Sequence, residues 1–297
     1  MEYFKLNNGN EVPCICYGPG MITRGMSIPK KFFQRFSNKI KYLKIESQFR
    51  ASIQSAINTG FCFIDYSAAY GREDIIRDAI QKSKLPREKF ILTTRITNRA
   101  QFNGNVEEEF YRSIKRFGVN YIDLLMFHWP VTDKYIDTWK QMIQLQKKGL
   151  CRNIGVSNCN KHHIEALIEA TGITPSINQV EIHPLFNQKE LLTYSKEKGI
   201  ILEAYTPLAR MDERMTRLPV LKKIQEKYKK TLTQIILRWH IQNGVIPVFR
   251  SLNHHRILEN YNIFDFVLTE EDMNIIDSIN INSRLRYDPD NCDFTIL

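Results

Sequence analysis

The feature that most constrains the fold is an alternation. Short apolar runs of strand character trade places with segments whose apolar residues recur at helical spacing, along most of the sequence. Residues 61–64 read as a buried strand, 74–82 as a helix with Ile75, Ile76, Ala79 and Ile80 on its apolar side, and 90–94 as a strand again. Residues 106–117 carry Val106, Phe110, Ile114 and Phe117 at helical spacing and lead into a strand at 122–127. Strands at 153–156, 177–182, 200–205 and 245–249 then alternate with helices around 139–145, 164–168, 191–196, 231–241 and 256–260. Gly60, Gly118, Gly149, Gly172, Gly199 and Gly244 stand where helices stop, as left-handed C-terminal caps require. With a first strand at 14–17 the count reaches eight strand and helix pairs. That number points to a closed parallel (β/α)8 (TIM) barrel over a doubly wound open sheet, which has fewer units and binds at a switch point.

A length of 297 residues and 43% hydrophobic content suit one barrel domain spanning 1–297, with no linker or low-complexity tract to divide it. The N-terminus carries no signal-peptide core and no apolar run approaches a membrane span, so a soluble, cytoplasmic protein is expected. Cys14, Cys16, Cys62, Cys151, Cys159 and Cys292 show no CxxC spacing and read as core thiols, not as disulfides or metal ligands. Net charge is +10, and part of it is concentrated. Within 24–44, Arg24, Lys30, Lys31, Arg35, Lys39, Lys41 and Lys44 meet no acidic residue, while Phe32, Phe33, Phe36, Ile40 and Leu43 interleave. Such a basic insert after the first strand is read as a solvated helix packed on the barrel rim, in preference to a nucleic-acid or membrane element.

In a barrel of this kind chemistry sits at the carboxyl ends of the strands. Three strand ends here are polar: Asp65-Tyr66-Ser67-Ala68-Ala69-Tyr70-Gly71, Thr93-Thr94-Arg95 and His128-Trp129-Pro130. They bring an acid, a phenol, a guanidinium and an imidazole to one end. Taken singly, Asp65 and Arg95 could be a buried ion pair, Tyr70 a rim aromatic and His128 a satisfied core histidine. Gly18-Pro19-Gly20 lacks the third glycine of a GxGxxG fingerprint, so a Rossmann dinucleotide site is unsupported. Neither a metal-ligand cluster nor a carboxylate pair stands out.

These motifs, together with Gly155-Val156-Ser157-Asn158, Asn178-Gln179-Val180-Glu181-Ile182-His183-Pro184, Glu203-Ala204-Tyr205-Thr206-Pro207-Leu208 and Arg256-Ile257-Leu258-Glu259-Asn260, resemble the aldo-keto reductases from end to end. The opening residues 4–13 resemble that family's N-terminal β-hairpin, which caps the bottom of the barrel. The resemblance implies reduction of a small aldehyde or ketone to an alcohol with NADP(H). It makes Tyr70 the proton donor, Asp65 and residue 95 its supporting charges, and His128 the group that orients the substrate oxygen. It implies that Ser157, Asn158 and Gln179 bond the nicotinamide amide while Tyr205 stacks on its ring. Arg250, Ser251, Arg256 and Asn260 would hold the adenosine phosphate and adenine, two arginines favouring NADP(H) over NAD(H). Trp129 would line the substrate pocket or belong to the core. His183 reads as structural, and the loop at 283–297 as a determinant of specificity.

The departures are informative. Arg95 stands where the family carries lysine, keeping the charge but offering a planar fork able to grip Asp65 with two bonds. Gly20 stands about where a pocket tryptophan is common, and Val248-Phe249 separate Val245-Ile246-Pro247 from Arg250, suggesting a longer loop. The alternative function is therefore an NADP(H)-binding protein with weak or lost catalysis that acts through a partner. Arg95→Lys is expected to raise NADPH-dependent aldehyde reduction; an unchanged or lower rate contradicts the view that Arg95 specialises the site.

Overall fold

The computed structural model describes residues 1–22 and 32–295, with side chains of the first long helix described from Tyr42 onward. β1 (Tyr3–Lys5) and β2 (Glu11–Pro13) pair as an antiparallel hairpin. Eight parallel strands then close a barrel: β3 (Cys16–Tyr17), β4 (Phe63–Asp65), β5 (Ile91–Ile96), β6 (Ile122–Phe127), β7 (Cys151–Ser157), β8 (Ile177–Glu181), β9 (Ile201–Tyr205) and β10 (Val245–Phe249). β10 pairs with both β9 and β3, so no edge strand is left.

The two-residue period of the strands sorts their side chains. Ile64, Leu92, Leu125, Ile154, Val180 and Leu202 join the large core beneath the helices. Cys16, Phe63, Leu124, Met126, Ile177 and Ile246 instead form an inner cluster that Leu6 and Val12 of the hairpin close from below. Asn8 and Asn10 fasten this plug through Asn153 Oδ1, at 2.7 and 3.0 Å. The inward positions one step further along β4, β5, β8 and β9 are Asp65, Arg95, Gln179 and Glu203, polar residues above an apolar floor.

Within the basic insert, residues 32–44 belong to the single helix Phe32–Thr59. Arg24, Lys30 and Lys31 lie outside the described residues, as do the side chains of Phe32, Phe33, Arg35, Phe36, Lys39, Ile40 and Lys41. One expectation is corrected: Val248 and Phe249 do not lengthen a loop before Arg250 but complete the strand read over 245–249. They pair with Cys16 and Tyr17 as the end of β10, and Phe249 packs its ring on Phe61 at 4.9 Å. Helices Pro219–Tyr228 and Glu270–Asp277 add to those read from the sequence. Among the described residues no helix is long and apolar enough to cross a membrane.

The barrel is tight where β7 meets β8. A Cβ at Gly155 would lie 2.7 Å from the Ile177 carbonyl oxygen and 3.3 Å from Met126 Cγ. Gly155→Ala is expected to destabilise the fold by about 1–3 kcal/mol in urea unfolding, as overpacking does; an equally stable variant contradicts this packing.

Candidate active site

Four polar side chains meet above the inner floor. Arg95, 1% exposed, donates from Nη2 to Asp65 Oδ1 at 2.5 Å and to Gln179 Oε1 at 2.6 Å, and from Nη1 to the Tyr66 carbonyl at 2.9 Å. The expected two-bond grip on Asp65 is thus replaced by a single bond, because the strand register sets Gln179 within reach of the same nitrogen. Gln179 passes its other amide end to Glu203 Oε2 at 2.8 Å. Burial raises the Asp65 carboxyl, and the charge and hydrogen bond of Arg95 oppose that rise. The guanidinium itself loses solvation on burial, yet the charge and hydrogen bond of Asp65 keep it firmly charged.

Tyr70 ends the short 3-10 turn Ala68–Tyr70 that follows β4. Ser67 caps this turn by accepting from the Ala69 N–H, and the half-buried Tyr70 ring meets Tyr66 edge-on at 5.5 Å. A negative charge on its phenolic oxygen and the positive charge of Arg95 support each other. Beyond it, Arg72 forks onto Glu46 of the long helix and reaches Tyr42 OH at 2.8 Å, tying the turn to the barrel's outer layer.

His128 follows β6 at the same mouth, half-buried. Burial, with the charges of Arg95 and Arg286, pushes its pKa down to about 3, so its ring is neutral at physiological pH. Asn158 connects the surrounding strand ends. With φ at 59° it turns out of β7, accepts from Tyr205 OH at 2.8 Å and donates to the His128 carbonyl at 2.9 Å. Ser157 is buried beside it, its hydroxyl 3.8 Å from Met126 Sδ.

The other expected residues form a second group past β10. Arg250 is exposed and lies against Gly20, whose φ of 70° and missing side chain leave it room. Ser251 Oγ accepts from the Asn253 N–H, and Asn253 caps the helix His254–Tyr261. Arg256 is exposed in that helix's first turn, whereas Asn260 is buried with Oδ1 lacking a hydrogen-bond partner among the described residues. Trp129 is 4% exposed and packs with Val131 and Phe294 beneath the C-terminal segment.

Residues 34–281 match the sequence model described as the Aldo/keto reductase family. The chain belongs to that family. It is 38% identical to the glyoxal reductase of Bacillus subtilis over 286 residues, 96% of this chain and 95% of that one. It is 37% identical to the methylglyoxal reductase DkgA of Escherichia coli, over 80% of this chain and 87% of the relative. Among solved structures, a silkworm (Bombyx mori) aldo-keto reductase in complex with NADP superposes with a TM-score of 0.84 at 30% identity, covering 98% of this chain and 96% of that one.

In this aldo-keto reductase, Asp65, Arg95 and Gln179 are bonded together, and His128, Asn158 and Tyr205 form one linked group at the mouth. Arg250, Ser251, Arg256 and Asn260 make a separate station, and Trp129 is covered by the tail. Two buried acids on β8 and β9 were not singled out from the sequence. Glu203 is one, although its place two residues before Tyr205 on β9 puts it on the inner face. Glu181 is the other. Burial raises its pKa, but His183 Nε2 and the N–H groups of Leu285 and Arg286 all donate to it and lower it overall. It thereby anchors the C-terminal segment at the barrel mouth, and His183 is structural. His162, His163 and Asp290 also cluster outside the mouth. His163 Nδ1 accepts from the Asn160 N–H at 3.1 Å, which places the ring proton on Nε2, the nitrogen a metal would need.

Proposed function

We propose that this protein reduces a small aldehyde or ketone to an alcohol with NADP(H), and that Tyr70 delivers the proton. The observation that carries this reading is the buried Asp65–Arg95 pair, in which Asp65 holds the Arg95 guanidinium where its positive charge acts on the Tyr70 oxygen at the mouth of the barrel.

The residues present suit the cofactor. Asn260 keeps a buried, unpartnered oxygen that a donor such as an adenine amino group satisfies, and Arg256 forms no ion pair among the described residues. Arg250 and Arg256 would take phosphate, favouring NADP(H), while Ser157, Asn158 and Gln179 would face the nicotinamide amide and Tyr205 its ring. When bound, the cofactor supplies hydride. Charge then grows on the substrate oxygen, where the neutral His128 ring holds it by a hydrogen bond and Tyr70 transfers its proton. Arg95 stabilises the phenolate that remains, and Asp65 keeps the guanidinium in place. Trp129 and the C-terminal segment would border the substrate. The relatives' names point to glyoxal and methylglyoxal as first substrates to try.

Gln179 also favours a second reading. Both ends of its amide are taken, by Arg95 and by Glu203, so NADP(H) binding with slow turnover is the alternative, with action through a partner. Purified protein, NADPH and methylglyoxal, followed by nicotinamide absorbance, separate the two. Tyr70→Phe is expected to lower kcat by about 10²–10⁴-fold with melting unchanged. A variant as fast as wild type contradicts Tyr70 as the donor.

A further inference from the structure

The barrel interior holds a second carboxyl group that this chemistry does not use. Glu203 is fully buried, and the register of β8 against β9 sets Gln179 directly opposite it. Gln179 donates to Glu203 Oε2 at 2.8 Å while its own oxygen receives Arg95 at 2.6 Å. The groups facing Glu203 are Cys16 from β3, Asp65 from β4, Arg95 from β5 and Gln179 from β8; β10 contributes Ile246, which cannot titrate. Two carboxyl groups therefore share one cation.

Geometry decides which of them is charged. Arg95 touches Asp65 directly at 2.5 Å but reaches Glu203 only through an amide. Glu203 Oε1 is buried without a hydrogen-bond partner among the described residues, the nearby Cys16 thiol donating to the Phe63 carbonyl at 3.5 Å, and an orphaned oxygen is costlier for a carboxylate than for an acid. Asp65 is thus the anion and Glu203 the neutral member. Burial and the negative charge of Asp65 act the same way, raising Glu203 from an ordinary 4.5 to about 8.

We propose that Glu203 is a positioning residue: as the neutral acid it holds the amide of Gln179, and through it the guanidinium of Arg95, in the orientation that serves Tyr70. This rests on the reading of Tyr70 as proton donor. It is not a proton relay, because a carboxamide and a guanidinium intervene. Its ionisation takes the buried cluster from net zero to net negative, which opposes charge on the Tyr70 oxygen in a low-dielectric interior. The linkage has a definite sign. The folded value lies above the unfolded one, so the stability tied to this proton is present below about pH 4.5 and is lost as pH rises through about 8.

Two measurements on the full chain test this. Without cofactor, melting temperatures of wild type and Glu203→Gln are compared from about pH 5 to about pH 9, and the variant is expected to gain on wild type as pH rises. A constant difference overturns the neutral acid. In NADPH-dependent methylglyoxal reduction, Glu203→Gln is expected to shift the alkaline limb of kcat upward by about one pH unit or more. Glu203→Ala is expected to lose about tenfold in kcat at neutral pH, and Glu203→Gln to recover most of it. An unmoved limb, or a Glu203→Ala variant as active as wild type, overturns the positioning role. If wild type reduces nothing, the proposed function fails, while the melting comparison still decides whether Glu203 is the neutral group.

Discussion

A cation buried inside a barrel persists only if its charge is matched. Arg95 meets that condition by sitting on Asp65, while the same Nη2 also reaches Gln179 and Nη1 reaches the Tyr66 carbonyl; its Nε has no hydrogen-bond partner among the described residues. Asp65 and Tyr66 come from the end of β4 and Gln179 from β8, so the closed parallel register is what brings them around Arg95. Below them the apolar floor and the hairpin keep water away; above them the strands end in the turns that carry Tyr70 and His128. Breaking the pair would leave a lone charge in this interior, at a cost of about 3–5 kcal/mol.

Arg95 acts beyond one contact. A lysine ammonium is a compact point charge; a guanidinium is a fork with five N–H donors. Its second bond reaches Gln179 of β8, and Gln179 in turn reaches Glu203 of β9, so the buried network spans β5, β8 and β9. The mouth is organised separately. Asn158 links Tyr205 to the backbone of His128, and Glu181 pins the segment that covers Trp129.

Periodicity made the barrel legible because the strands are short, largely apolar runs and most helices end at or beside a glycine. Asp65, Arg95 and His128 were legible for the same reason, being polar residues at the ends of such runs. Glu203 was not: it lies inside an apolar run, and its significance depends on a cross-strand neighbour that no local pattern reveals. The single bond between Arg95 and Asp65 was equally hidden, since the pull of Gln179 on Nη2 exists only once β5 and β8 curve around a common interior. The strand at 245–249 was legible from its apolar run, whereas the longer loop suggested by motif spacing before Arg250 was not there, because Val248 and Phe249 belong to that strand. Helices Pro219–Tyr228 and Glu270–Asp277 fall outside the strand and helix alternation that guided the reading.

The central claim is that this barrel mouth is a working NADP(H) site built around Arg95. Its most direct test is a fluorescence titration of the purified protein with NADPH and with NADH. Saturable binding, tighter for NADPH, with the preference reduced by Arg256→Ala, is the predicted result; if neither nicotinamide cofactor binds, the account is contradicted.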